Sequence, residues 1–228
     1  MKLINYPSPN FDERARGSTI DKLVLHYTGM HSSEVSLARM GDSSSKVSSH
    51  YLINEMGTVY QLVNEDKRAW HAGISYWAGQ TDINSQSIGI ELQNPGHEWG
   101  YEEFSDAQIE ALVDLATSIV DRHNITAKQI LGHSDIAPER KKDPGEFFPW
   151  AKIATQNIGY WPTIEIIDTF PVPSKNTIRT NLSLIGYDPK ASFSAAVTAF
   201  QRHFRPEKVD GIVDTETAQL VSACAKIT

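Results

Sequence analysis

The sequence predicts an α/β fold, a mixed central β-sheet flanked by helices, followed by a small three-helix C-terminal domain. Three observations carry that class. Short apolar runs and one long amphipathic run follow each other as strand, hairpin, strand, helix, strand over residues 1 to about 155, an order that builds a sheet with helices packed on it. The composition then changes: Gly159, Trp161-Pro162, Pro171, Pro173 and Ser174 mark residues 156–173 as a linker. Residues 174–228 carry three short helical patterns, Thr177 to Ile185, Ser192 to Phe204 and Thr215 to Lys226, separated at Gly186-Tyr187-Asp188-Pro189 and Val209-Asp210-Gly211.

Residues 1–20, with Pro7, Pro9 and Gly17, are expected to be an extended lead-in. Lys22-Leu23-Val24-Leu25-His26-Tyr27 has the apolar run of an interior strand, which delivers His26 and Thr28 to its C-terminal edge before Gly29 turns the chain. Residues 32 to 40 form a short helix with Val35, Leu37, Ala38 and Met40 on it. Ser49 to Asn54 and Val59 to Val63 read as a hairpin around Glu55-Met56-Gly57-Thr58. Trp70-His71-Ala72-Gly73 opens a Gly- and aromatic-rich loop running to Gly79, the kind of segment that carries binding functions. In Ser87 to Gln93, Ile88, Ile90 and Leu92 alternate with Gly89, Glu91 and Gln93, so Glu91 projects from the face opposite the isoleucines. Ser105 and Gln108 make a capping box, and Ile109, Leu112, Val113, Ala116, Ile119 and Val120 then recur at helical spacing to about His123. Gln129 to His133 is a short strand with His133 at its end. The C-terminal domain is expected to have its own core of Ile178, Leu182, Leu184, Val197, Phe200, Phe204, Ile212, Val213 and Leu220.

Net charge is -7 and no dense Lys/Arg cluster occurs, which argues against a nucleic-acid partner. No run approaches the ~20 apolar residues of a transmembrane helix. The first residues lack the apolar core of a secretory signal, so the chain as written is expected to stay in the cytoplasm, or to reach the periplasm or cell envelope if a leader has been removed. The lone Cys224 excludes an intrachain disulfide and any multi-cysteine metal site, and reads as an inert buried thiol. A monomer is expected.

The chemistry concentrates in Gly132-His133-Ser134-Asp135-Ile136-Ala137-Pro138-Glu139-Arg140-Lys141-Lys142-Asp143-Pro144-Gly145, where the prolines forbid a continuous helix and leave an irregular loop. Histidine with carboxylate is a zinc vocabulary, and three protein ligands leave a position for water. His26, at another strand end, is the natural partner of His133; the acid is Asp135 or Asp143. No HExxH helix is present. Among the remaining histidines, His31, His97 and His203 sit among polar neighbours and read as surface groups. His123 suits the end of a helix dipole, His50 reads as structural, and His71 is either a substrate contact or loop packing. Glu91 alone reads as a solvent-facing acid and Lys141 as a solvated charge. Beside a metal they would supply a general base and a partner for an oxyanion.

Leu25-His26-Tyr27-Thr28, Ser49-His50-Tyr51-Leu52, Ala69-Trp70-His71-Ala72-Gly73, Ser87 to Leu92, and Gly132 to Pro138 with Lys141 and Asp143-Pro144-Gly145 together resemble the zinc N-acetylmuramoyl-L-alanine amidases of the AmpD/AmiD type. That family shares its fold with peptidoglycan-recognition proteins and phage amidases. The resemblance implies Zn2+ held by His26, His133 and Asp143 rather than Asp135, Glu91 as general base, and Lys141 at the oxyanion. It implies hydrolysis of the amide between the lactyl group of N-acetylmuramic acid and L-alanine in peptidoglycan or muropeptides, with Trp70, His71, Ala72 and Asn94 as candidate substrate contacts. Ala199-Phe200-Gln201-Arg202-His203-Phe204, Val209-Asp210-Gly211 and Asp214-Thr215-Glu216-Thr217 resemble a three-helix peptidoglycan-binding module. The pair of domains points to the AmiD branch, whose members are usually exported lipoproteins, although no lipobox is visible here. The alternatives are a non-catalytic peptidoglycan receptor, which would be expected to lack a zinc ligand, and a deacetylase or peptidase on a similar metal site.

Overall fold

The computed structural model describes residues 2–226. In chain order the strands and helices are β1 (Lys2–Asn5), β2 (Phe11–Glu13), β3 (Lys22–Tyr27), α1 (Ser33–Gly41), β4 (Tyr51–Ile53), β5 (Thr58–Gln61), β6 (Lys67–Ala69), α2 (Ile83–Gln86) and β7 (Ser87–Leu92). There follow α3 (Gly96–Trp99), α4 (Asp106–His123), β8 (Ile130–Gly132), α5 (His133–Ile136), α6 (Trp150–Ala154), α7 (Lys175–Ile185), α8 (Phe193–Phe204) and α9 (Thr215–Ala225). Among the described residues a six-stranded sheet runs β1-β5-β4-β7-β3-β8, and β2 pairs with β6 in a second, two-stranded sheet. Only β4 and β5, the hairpin, are antiparallel in the large sheet; its other pairs are parallel. The residues expected to be a lead-in therefore contain an edge strand. β1 pairs with β5, but Leu3 is half exposed, so the strand has no buried alternation to reveal it.

The three parallel strands β7, β3 and β8 lie side by side, β8 being the outermost strand of the sheet, and their C-terminal ends come together where sites in open α/β sheets are built. Their side chains alternate between two cores. Leu23, Leu25, Ile88, Ile90 and Ile130 face α4, meeting Ile109, Leu112, Ala116 and Ile119. Each such fully buried aliphatic side chain contributes about 1.5–3 kcal/mol of transfer free energy. Ser105 caps α4 by accepting from the Gln108 amide at 3.1 Å. The reciprocal half of the expected capping box is absent, because the Gln108 side chain donates instead to the carbonyls of Ile53 and Gln93, both at 3.0 Å.

Val24 and Leu131 point to the opposite face, into a cluster with Ile178, Leu182, Val197, Phe200, Leu220 and Val221. The C-terminal helices thus share a core with the sheet and do not close one of their own. Two residues expected inside, Leu184 and Ile212, are exposed. Cys224 is buried in this cluster as expected, and burial pushes its thiol up to about 12. No described helix is long and apolar enough to cross a membrane.

Candidate metal centre

His26 is the fifth residue of β3 and Glu91 the fifth of β7, and the two are paired across parallel strands. Both share the parity of Val24 and so stand on the face that carries the C-terminal helices. His133 follows β8 as the first residue of α5, a single helical turn where only loop was expected. Asp143 is brought back to it by a backbone bond, the Ser134 amide donating to the Asp143 carbonyl at 2.9 Å. The result is a buried group of His26, His133 and Asp143 whose ligand atoms all lie within 4.8 Å of one another. His26 Nδ1 is 2.9 Å from His133 Nδ1 and 2.9 Å from Asp143 Oδ2, and His133 Nδ1 is 3.0 Å from that oxygen.

The hydrogen bonds behind these atoms decide where the ring protons are. The Ser87 hydroxyl donates to the Ile83 carbonyl at 2.7 Å, so at 3.2 Å it accepts from His71 Nε2. His71 Nδ1 must then accept, and at 3.0 Å it receives the proton of His26 Nε2. His133 Nε2 lies 3.0 Å from the Ala72 carbonyl, which can only accept. In the neutral rings these pairings leave both Nδ1 atoms as lone pairs facing the Asp143 carboxylate. Burial lowers His26 to about 4 and holds His71 well below its ordinary range, which favours the neutral form of these two rings. Despite burial, His133 and His26 pull the Asp143 carboxyl below the usual range. Two lone pairs and an anion at contact distance repel unless a cation lies among them, and neutral imidazoles locked through their outer nitrogens are how proteins present histidine to a metal. The residues fit a divalent ion of the zinc type.

Glu91 and Lys141 open on the same cleft of about 370 Å³, which also exposes His26, His133 and Asp143. Glu91 is buried, which corrects the solvent-facing reading, and its Oε2 has no hydrogen-bond partner among the described residues. Burial first, and then the charge of Asp143, raise its pKa well above the ordinary carboxyl value, against the pull of Lys141. A carboxylate so placed is a strong base. Lys141 is partly exposed on the loop, its amide bound to the Ala137 carbonyl at 3.0 Å.

The other residues singled out from sequence have different places. Asp135 is not in the ligand group: the buried third residue of α5, it accepts from the Gly132 amide, Tyr187 and His203. His203, expected at the surface, is buried between Trp150 and Phe204. His97 is half-buried rather than free, bound to the Tyr27 hydroxyl at 2.8 Å and to Glu146 at 3.1 Å, and it lines the cleft with Tyr27. His31 is exposed and His50 is buried, as expected. His123 ends α4, but its Nε2 is held by Glu65 at 2.6 Å. Of the candidate substrate contacts, His71 lines the cleft with both ring nitrogens engaged. Trp70 bonds through its backbone to Ser48, and the Ala72 carbonyl supports His133. The Asn94 side chain bridges Glu102 and Gly96.

A protein-family model described as N-acetylmuramoyl-L-alanine amidase matches residues 16–146, a span that holds His26, Glu91, His133, Lys141 and Asp143. The chain belongs to the N-acetylmuramoyl-L-alanine amidase family. A second model, a putative peptidoglycan binding domain, matches residues 177–221 of this amidase. Among curated relatives, the N-acetylmuramoyl-L-alanine amidase AmiD of Escherichia coli is 39% identical over 229 residues, covering 90% of this chain and 82% of AmiD. Among solved structures, E. coli AmiD in complex with anhydro-N-acetylmuramic acid-L-Ala-D-gamma-Glu-L-Lys superposes with a TM-score of 0.83 at 35% identity, covering 96% of this amidase and 98% of that chain. AmpDH3 from Pseudomonas aeruginosa superposes with a TM-score of 0.85 at 32% identity, over 100% and 99% of the two chains.

Proposed function

We propose that this amidase hydrolyses the amide between the lactyl group of N-acetylmuramic acid and L-alanine in peptidoglycan or muropeptides, with Zn2+ held by His26, His133 and Asp143. The observation that carries the reading is the pair of bare Nδ1 lone pairs turned on the Asp143 carboxylate, with the unpartnered carboxyl of Glu91 in the same cleft. When bound, zinc supplies Lewis-acid polarisation and makes water acidic near neutral pH. Glu91 takes one proton from the attacking water as its oxygen bonds to the carbonyl carbon. Lys141 holds the negative charge that develops on the carbonyl oxygen. Glu91 then returns its proton to the nitrogen, the C–N bond breaks, and the remaining water proton passes from the new carboxylic acid to the freed amine, leaving a carboxylate and an L-alanine ammonium group.

Residues 1–155 are proposed to carry this chemistry, with 156–173 as the joining segment and 174–228 as a module that holds the polymer. The AmiD complex with an anhydromuramyl peptide supports a substrate of that class. Mass spectrometry of purified muropeptides after incubation with the zinc-loaded protein tests the proposal. Free stem peptides beginning with L-alanine, together with peptide-free muramyl sugars, are expected. Release of acetate or of internal stem fragments would contradict it, and so would muropeptides that bind but stay intact.

A further inference from the structure

Asp135 is almost fully buried beneath the loop that bears His133, Lys141 and Asp143, and three donors satisfy its carboxylate. One is local, the Gly132 amide at 2.7 Å. The other two come from the C-terminal helices and their connection: the Tyr187 hydroxyl at 2.7 Å and His203 Nδ1 at 2.7 Å. Tyr187 is itself fully buried against Trp77 and Phe200, and the His203 ring is stacked on Trp150 at 3.8 Å and Phe204 at 4.0 Å. Both donors are therefore rigid. The Gly132 amide directly precedes His133, so whatever fixes Asp135 fixes the start of the metal loop. Further ties reach the same region: the Ser192 amide donates to Glu139 at 2.6 Å, Arg202 meets Glu146 at 3.4 Å, and the Gly186 carbonyl accepts from the Ala78 amide at 2.8 Å.

We propose that Tyr187 and His203 are positioning residues for the metal loop, acting through Asp135, so that the C-terminal module is a working part of the active site as well as a holder of polymer. The inference rests on the metal reading above. Groups behind the ligands orient them, and losing one typically weakens metal affinity or activity about 10–100-fold. A module that served only to hold peptidoglycan would have no need to place two buried donors on a carboxylate of the catalytic loop.

The test uses the full chain and the variants Tyr187→Phe, His203→Phe and His203→Asn. For each, the zinc affinity of the metal-free protein is measured by competition with a chromogenic chelator, together with Tm and with kcat and KM on a soluble muropeptide. Tyr187→Phe and His203→Phe each delete a donor while keeping an aromatic ring, and each is expected to weaken zinc binding by about tenfold and to lower kcat at unchanged KM. His203→Asn returns an amide N–H close to the Nδ1 position and forfeits the stacking. It is expected to recover most of the zinc affinity while having the lowest Tm of the set. Tyr187→Phe loses a single oxygen and carries the test should His203→Phe not fold. Unchanged zinc affinity in the Phe variants overturns the proposal, as does affinity that simply follows Tm with His203→Asn the weakest. A wild-type chain that binds no zinc would overturn the proposed function as well, which separates the two failures.

Discussion

His26 and Glu91 are register partners on adjacent parallel strands, β3 and β7, and open on one cleft. The proposed metal ligand and the proposed base are thereby placed by sheet geometry and not by loop conformation. Side chains alternate with period two, so a one-residue slip of β7 would send Glu91 into the α4 core and Ile90 or Leu92 into the cleft. Leu23, Leu25, Ile88, Ile90 and Leu92, on the opposite faces of the two strands, hold the register.

Glu91→Ala is expected to lower turnover by about 100-fold or more, the usual scale for a general base, while leaving bound zinc at the wild-type level. The measurements are kcat on a soluble muropeptide and metal content by elemental analysis. Near-normal kcat would remove Glu91 from the mechanism, and loss of metal would make it a ligand.

Lys141→Ala is expected to lower kcat by on the order of 100-fold with little change in KM, because the charge it meets exists only in the transition state. Steady-state kinetics on the same muropeptide decide this. A rise in KM with kcat preserved would reassign Lys141 to ground-state binding.

Much of this site is legible in the residues, for reasons that differ from one to the next. His26 and His133 show themselves because each ends a short apolar run, which is what strand ends at a sheet edge look like. α4 is visible from its cap and its period. Glu91 reads as solvent-facing because alternation says which face a residue takes and not what covers that face. His203 and His97 are misread as surface groups because their partners are remote: Asp135 lies 68 residues from His203 and Glu146 lies 49 from His97. Polar neighbours in sequence say nothing of such pairings. Gly89 was readable only as an alternating position, yet a Cβ there would fall 2.5 Å from His71 Cγ, so its bareness makes room for the ring that locks His26.

His71→Phe is expected to weaken zinc affinity about 10–100-fold, since it removes the acceptor that keeps the proton on His26 Nε2. Chelator competition on the metal-free protein measures this. Wild-type affinity in the variant would show that the His26 tautomer needs no such support.

Glu65 is expected to contribute to acid stability away from the site. Burial would raise its carboxyl, but hydrogen bonds from Arg122, His123 and Tyr51 outweigh that and bring it down to about 2. A depressed folded-state pKa means stabilisation that is complete above the unfolded carboxyl value and lost as pH falls toward about 2. Urea midpoints should therefore fall between about pH 5 and pH 2 in the wild type. Glu65→Gln should be less stable at pH 7, by about 1 kcal/mol or more given the partial burial, and should show a shallower acid limb. Parallel acid limbs would place the acid sensitivity elsewhere.

One divalent ion is proposed to sit among His26 Nδ1, His133 Nδ1 and Asp143 Oδ2. X-ray diffraction from zinc-grown crystals, recorded on both sides of the zinc absorption edge, tests it most directly. A single anomalous peak is expected about 2.0–2.2 Å from each of the three atoms, with one remaining position open to the cleft. No peak there, a peak held by other residues, or the three side chains turned apart would contradict it.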